Sequence, residues 1–219
     1  MSAAKRVIWT TVGLVVVLVA IALYIALYLT NVPGSVAAVQ TASGKALYLA
    51  TVPTAEASDP HNTWVSYYGV DAHSQNWRHD TTFVVPANTL VHVTIYQYDT
   101  ATGLRNPLFS QPAGTVGAVT MNGTPTSVVD PTVPAHTFAI PAIGLTIPLP
   151  GVSSSAKNPC AQAPCSLSNA HVTVSFEFRT PAKGLYRWQC FVPCGAGFIQ
   201  GNGGPMQTVG YMGGFLKVV

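Results

Sequence analysis

Two cysteines, Cys190 and Cys194, stand with three residues between them in "YRWQCFVPCGAGFIQGNGGPM", a Gly-rich stretch flanked by strand-like runs. Thiolates at this spacing can face one cavity from a single loop and hold a metal ion. The same spacing also closes a short disulfide, so the residues alone leave both chemistries open. A second pair, Cys160 and Cys165, lies in "NPCAQAPCS" with no histidine beside it, and a local disulfide is expected there. The histidine in the most suggestive setting is His136, which opens the apolar run "HTFAIPAIGLTIPLPG". His61, His73, His79, His92 and His171 are remote from the cysteines in sequence. Only 7 residues are Asp or Glu, too few and too isolated for a general acid–base pair. No Ser/His/Asp signature or phosphate-cradling Gly loop is present.

The elements that must position these groups read as strands. "KALYLATV", "TWVSYYGVD", "TTFVVPANTLVHVTIYQYD", "HVTVSFEFRT", "GLYRWQC" and "YMGGFLKVV" are short apolar or alternating runs bounded by turn residues. In the third, Val91, Val93 and Ile95 share one face and His92, Thr94 and Tyr96 the other; Val172, Val174, Phe176 and Phe178 share a face of the fourth. Such strands argue for a β-sandwich or barrel. The one expected helix is N-terminal. No charge occurs over residues 7–30, and about 20 apolar residues cross the hydrocarbon core. Lys5 and Arg6 precede this run and the next charge is Lys45, which puts residues 1–6 in the cytoplasm and the remainder outside, with 31–45 as a stalk and 46–219 as the extracytoplasmic domain. Thiols outside the cytoplasm tend to be oxidised. Charged residues make up 8% of the chain against about 25% in ordinary soluble proteins. The net charge of +3 is small and scattered, which excludes a nucleic-acid surface.

Three segments taken together, "VVPANTLVHVTI", "HTFAIPAIGLTIPLPG" and "KGLYRWQCFVPCG", resemble in order and local spacing the cupredoxin-fold domain of cytochrome c oxidase subunit II. That family has "VPAG" before a core strand, then a His-led apolar run ending in Pro-Gly, then a C-x3-C loop. The resemblance covers about residues 83–97, 136–151 and 174–219, and the single anchor is similar to one-helix members. It implies a mainly β, cupredoxin-like Greek-key sandwich after one transmembrane helix, with insertions at about 99–135 and 152–170. It also implies a CuA-type dinuclear centre, or a mononuclear remnant of one. Carried over, Cys190 and Cys194 are the copper-binding thiolates, His136 is a terminal imidazole and Val192 offers a main-chain carbonyl. Soft thiolates and imidazoles suit copper. The pattern then breaks: Phe198 stands where the family has its second His, and Gly201 where it has its Met. Met212 and Met206 are candidate replacements for the thioether, Met212 being the better placed by the motif.

The function implied is that of an electron-transfer, subunit II-like component of a haem-copper oxidase-type respiratory complex. Its partners would be the lipid bilayer, a membrane-embedded catalytic subunit and a soluble donor such as cytochrome c or a small copper protein. Two alternatives stand beside it. One is a copper-free docking subunit with Cys190–Cys194 as a disulfide; the other is a membrane-tethered copper-binding or copper-delivery protein.

Overall fold

The structure is a computed structural model that describes residues 2–26, 34–71, 76–195 and 204–219. It divides into two compact units, Met1–Pro33 and Gly34–Val219. The described part of the first is a single helix, α1 (Ala3–Tyr24). Ser2 caps it, its Oγ accepting from the Lys5 amide at 3.4 Å. The helix therefore starts before residue 7, because a capping serine and helix-compatible Ala, Lys and Arg extend it past the edge of the uncharged run. With a mean hydropathy of 2.5, α1 is long and apolar enough to cross a membrane. Residues 27–33, the end of the expected span and the start of the expected stalk, lie outside the described residues.

The second unit is built from β1 (Ser35–Ala37), β2 (Val39–Thr41), β3 (Gly44–Val52), β4 (Ser66–Val70), β5 (Trp77–Arg78), β6 (Thr82–Val85) and β7 (Leu90–Gln97). There follow β8 (Val119–Met121), β9 (Thr124–Thr126), β10 (Pro134–Ile140), β11 (Leu145–Pro150), β12 (Val172–Arg179), β13 (Gly184–Gln189) and β14 (Gly213–Val218). One sheet has the order β1-β6-β14-β13-β10-β11; the other runs β5-β4-β3-β7-β12-β8-β9, with β2 beside β3. β6 is parallel to β1 and β14, and β3 is parallel to β7; the other pairs are antiparallel. Parallel neighbours cannot be joined by a tight hairpin, so the chain crosses between sheets. The fold is mainly β, a sandwich of two sheets, as expected.

Two segments differ from their expected character. The stalk at 31–45 contains β1, β2 and the start of β3. Its small polar residues hide two apolar anchors, Val36 and Ala38, and the Val36 side chain packs so closely over Gly69 that a Cβ there would lie 2.3 Å away. The insertion at 99–135 holds the β8–β9 hairpin, which extends the second sheet through β12. Turn-forming Asn122 (φ 50°) and Gly123 (φ 78°) set that hairpin, and its strands are too short for periodicity to reveal.

The break at "PAN" sends β6 and β7 to different sheets, with Asn88 in the left-handed region at φ 52°. Between the sheets lies one core containing Phe83, Phe138, Phe176, Phe178, Tyr67 and Trp188. Trp188 is fully buried and its indole N–H donates to the Thr81 carbonyl at 2.9 Å, so it packs the core floor beneath the cysteine loop. Cys190, Val192 and Cys194 belong to the same core.

Candidate metal centre

β10 and β13 are neighbours in the first sheet, with Ala139 opposite Gln189. This register carries His136, within β10, to the end of β13, where the chain leaves the sheet as the cysteine loop. β14 closes the other side: the Cys190 amide donates to the Met212 carbonyl at 2.9 Å, and the Met212 amide to the Pro205 carbonyl at 3.1 Å. Three strand ends thus converge on one buried pocket of sulfur and nitrogen.

Within it, one ligand atom from each of His136, Cys190 and Cys194 lies within 4.8 Å of the others. Cys190 Sγ is 3.9 Å from His136 Nδ1 and 3.5 Å from Cys194 Sγ. A sulfur separation of 3.5 Å is far beyond a disulfide bond of about 2.05 Å, and both residues are free thiols. The Val192 carbonyl oxygen is 3.6 Å from Cys190 Sγ. Met206 places its Sδ 3.1 Å from Cys194 Sγ. Met212 is buried and bonds Cys190 and Pro205 through its main chain, while the thioether against Cys194 is that of Met206. Phe198 and Gly201 lie outside the described residues.

The remaining histidines are engaged elsewhere. His61 stacks on Trp64, His79 Nδ1 pairs with Asp59 at 2.8 Å, and His171 Nδ1 pairs with the Asn169 carbonyl at 2.8 Å. His92 is part-exposed and faces Glu177 at 3.8 Å, as its strand alternation suggested. His73 lies outside the described residues. Among the described residues the metal-competent cluster therefore contains one imidazole. Cys160 and Cys165 form a disulfide in a smaller core with Tyr68, Val70 and Tyr98, separate from the cluster.

The titratable groups of the pocket act on one another. Burial opposes a proton on His136, but Asp99 and Cys190 outweigh it and raise its pKa to about 9. Burial also opposes the Cys190 thiolate, yet hydrogen bonding from Cys194, the His136 charge and the Thr137 amide hold its pKa well below that of an ordinary thiol. Cys194, donating to that thiolate and itself buried, is pushed up and keeps its proton. The pocket without metal thus favours a proton on His136 and on Cys194 and disfavours one on Cys190.

Several supporting residues carry no motif. The Thr137 amide donates to Cys190 Sγ at 3.3 Å, and Thr137 Oγ1 accepts from the Phe191 amide at 2.8 Å, tying the loop to β10. Tyr67, whose pKa is raised by burial and then by the charges of Cys190 and Cys194, stays protonated and donates to the Thr137 carbonyl at 2.9 Å. Asp99 Oδ2 is 3.1 Å from His136 Nε2. A cavity of about 560 Å³, lined by Trp64, Val65, Asp99, Pro193 and Pro205 among others, reaches Cys194.

The donor set suits a soft ion. Atoms about 2.0–2.3 Å from a single ion must lie roughly 3–4 Å from one another, and the separations of 3.1, 3.5 and 3.9 Å meet that condition. Cys and Met sulfur with imidazole favours copper over hard cations.

No family model matches the chain, and no curated protein matches it. Among solved structures it is similar to rusticyanin, described as a copper protein. One rusticyanin structure is 16% identical, with a TM-score of 0.36, and the match covers 86% of each chain. Rusticyanin from Thiobacillus ferrooxidans is 15% identical at a TM-score of 0.36, covering 86% of this chain and 85% of that one. Reduced rusticyanin is also 15% identical at 0.36, covering 86% and 87%.

Proposed function

We propose that the sandwich is a membrane-tethered electron-transfer module that holds one copper ion through His136, Cys190 and Cys194, with Met206 as a weak fourth donor. The observation that carries this reading is the buried cluster of one imidazole, two free thiols and a thioether at the convergence of β10, β13 and β14. One ion is proposed rather than a CuA pair because a single imidazole serves the cluster among the described residues. Copper would supply one-electron chemistry. The chain's part is to keep the ligands fixed in a buried pocket, so that little rearranges as charge comes and goes. The three sequence motifs, taken with α1, support placement as a subunit II-like partner of a membrane-embedded oxidase-type subunit, with the sandwich extracytoplasmic and a soluble donor such as cytochrome c or a small copper protein.

The test is metal and thiol counting on the full chain purified in detergent and loaded with copper. One copper per chain, two free thiols before loading and a mononuclear Cu(II) EPR spectrum are expected. Two coppers with a mixed-valence spectrum would replace the mononuclear site by a dinuclear one. No copper, with all four cysteines in disulfides, would leave the docking-subunit reading.

The cavity reaching Cys194 favours a second reading, copper delivery. Fast transfer of the ion to a competing chelator would support it, and slow transfer would support electron transfer.

A further inference from the structure

His136 can serve as a ligand only if one ring nitrogen is turned to the sulfurs and the other is satisfied, because the ring is fully buried. Its Nδ1 faces Cys190 Sγ at 3.9 Å and its Nε2 faces Asp99 Oδ2 at 3.1 Å. Asp99 lies 37 residues upstream, where the segment read as an insertion begins. No motif marks it.

Asp99 is held more firmly than a loop carboxylate usually is. Its second oxygen, Oδ1, accepts from the Thr100 amide at 2.7 Å. Its own amide donates to Gln97 Oε1, and its carbonyl accepts from Gln97 Nε2, each at 3.0 Å. The same carbonyl accepts from the Val152 amide at 2.8 Å. Gln97 is fully buried at the end of β7, and its Oε1 also accepts from Thr51 Oγ1 on β3. A buried glutamine must place all its polar atoms. This one spends them on Thr51 and on both main-chain groups of Asp99. The carboxylate is thereby anchored to the second sheet, while the imidazole it meets belongs to the first.

We infer that Asp99, clamped by Gln97, is the positioning residue of the metal centre: it accepts the His136 Nε2–H, fixes the ring plane and presents Nδ1 to the ion. This deepens the copper reading and rests on it. Carboxylate partners of this kind, when removed, typically cost 10- to 100-fold in metal affinity.

The experiment compares full-length wild type with Asp99→Ala, Asp99→Asn and, as a control for charge alone, Glu177→Gln at a part-exposed position of β12. Selective ¹⁵N-histidine labelling reports His136 Nε2–H in the metal-free protein, and competition with a Cu(I) chelator reports affinity. Wild type and Glu177→Gln should show a slowly exchanging Nε2–H and equal affinity. Asp99→Ala should lose the protected Nε2–H and bind Cu(I) about 10- to 100-fold more weakly. Asp99→Asn, whose one oxygen cannot serve both Thr100 and His136, should fall between them. It also decides the matter if the alanine variant fails to fold. Unchanged Nε2–H exchange and affinity within about twofold in the Asp99 variants would overturn the proposal. If wild type binds no Cu(I), the copper reading fails. The metal-free Nε2–H signal then judges Asp99 alone, its loss in the variants supporting the positioning role and its persistence overturning it.

Discussion

At the scale of single residues, the centre is defined by where its protons sit. With the His136 pKa raised to about 9, the imidazole carries two protons at neutral pH; the thiolate of Cys190 is favoured by its hydrogen bonds and the His136 charge, and that of Cys194 is disfavoured. A metal ion requires a bare Nδ1 and deprotonated sulfurs. Loading at pH 7 should therefore release protons, one of them from His136. Once pH has risen through the His136 pKa, that residue is already deprotonated, so release falls by about one proton and apparent affinity climbs. Calorimetry in two buffers of different ionisation heat measures the number directly; release close to zero at pH 7 would contradict the assigned charges. The clustered residues themselves were legible in the sequence, because Cys190, Cys194 and His136 sit in recognisable local spacings. The sequence could not make Asp99, Gln97, Thr137 or Tyr67 legible. Their roles come from a contact between sheets or between strands far apart in sequence, and a polar residue at a strand end carries no mark of what it will meet.

At the scale of elements, the strand runs were readable because burial on one face imposes alternation, which Val174, Phe176 and Phe178 follow. What periodicity hides is where the backbone itself must pass closely. Gly214, two residues after Met212, is such a place: a Cβ there would sit 2.0 Å from the Thr81 carbonyl oxygen. That oxygen already accepts from the Trp188 indole at 2.9 Å and the Phe215 amide at 3.0 Å, so it cannot move away without breaking both. In the sequence "YMGGFLKVV" the glycine reads as a weak strand residue, whereas in the sandwich it lets β14 lie against the chain entering β6. Gly214→Ala should cost about 1–3 kcal/mol, the range for overpacking in a tight core. For a domain of this size that is roughly 2–10 °C in the unfolding midpoint. It should also weaken copper binding, since the Met212 carbonyl that receives the Cys190 amide is displaced with the strand. Thermal unfolding and chelator competition on the full chain give both quantities. A midpoint shifted by less than about 1 °C would show that the strands can separate at no cost.

At the scale of the whole molecule, the two units answer to different solvents. Val7, Ile8, Trp9, Leu14, Val16, Leu18 and Ile21 are all at least half exposed on α1, whereas the apolar side chains of the sandwich are largely turned into its two cores. Each such residue favours leaving water by about 1.5–3 kcal/mol, so the helix as a whole prefers hydrocarbon by many times the stability of an ordinary domain. A helix also satisfies its own main-chain hydrogen bonds, which hydrocarbon cannot. This preference was legible from composition alone, because it needs no tertiary contact. The stalk was misread for the complementary reason: β1 and β2 are made by pairing with β6 and β3, and small polar residues pair without advertising it. The first described strand of the sandwich begins at residue 35, so a chain cut at Gly34 keeps every strand among the described residues. The full chain should stay with membranes through high-salt and alkaline carbonate washes. The chain starting at Gly34 should be soluble without detergent, with the same β-sheet circular dichroism and the same copper stoichiometry. Release of the full chain by the washes would refute the membrane role of α1. Precipitation of the shortened chain would show that the sandwich depends on the first unit for more than tethering.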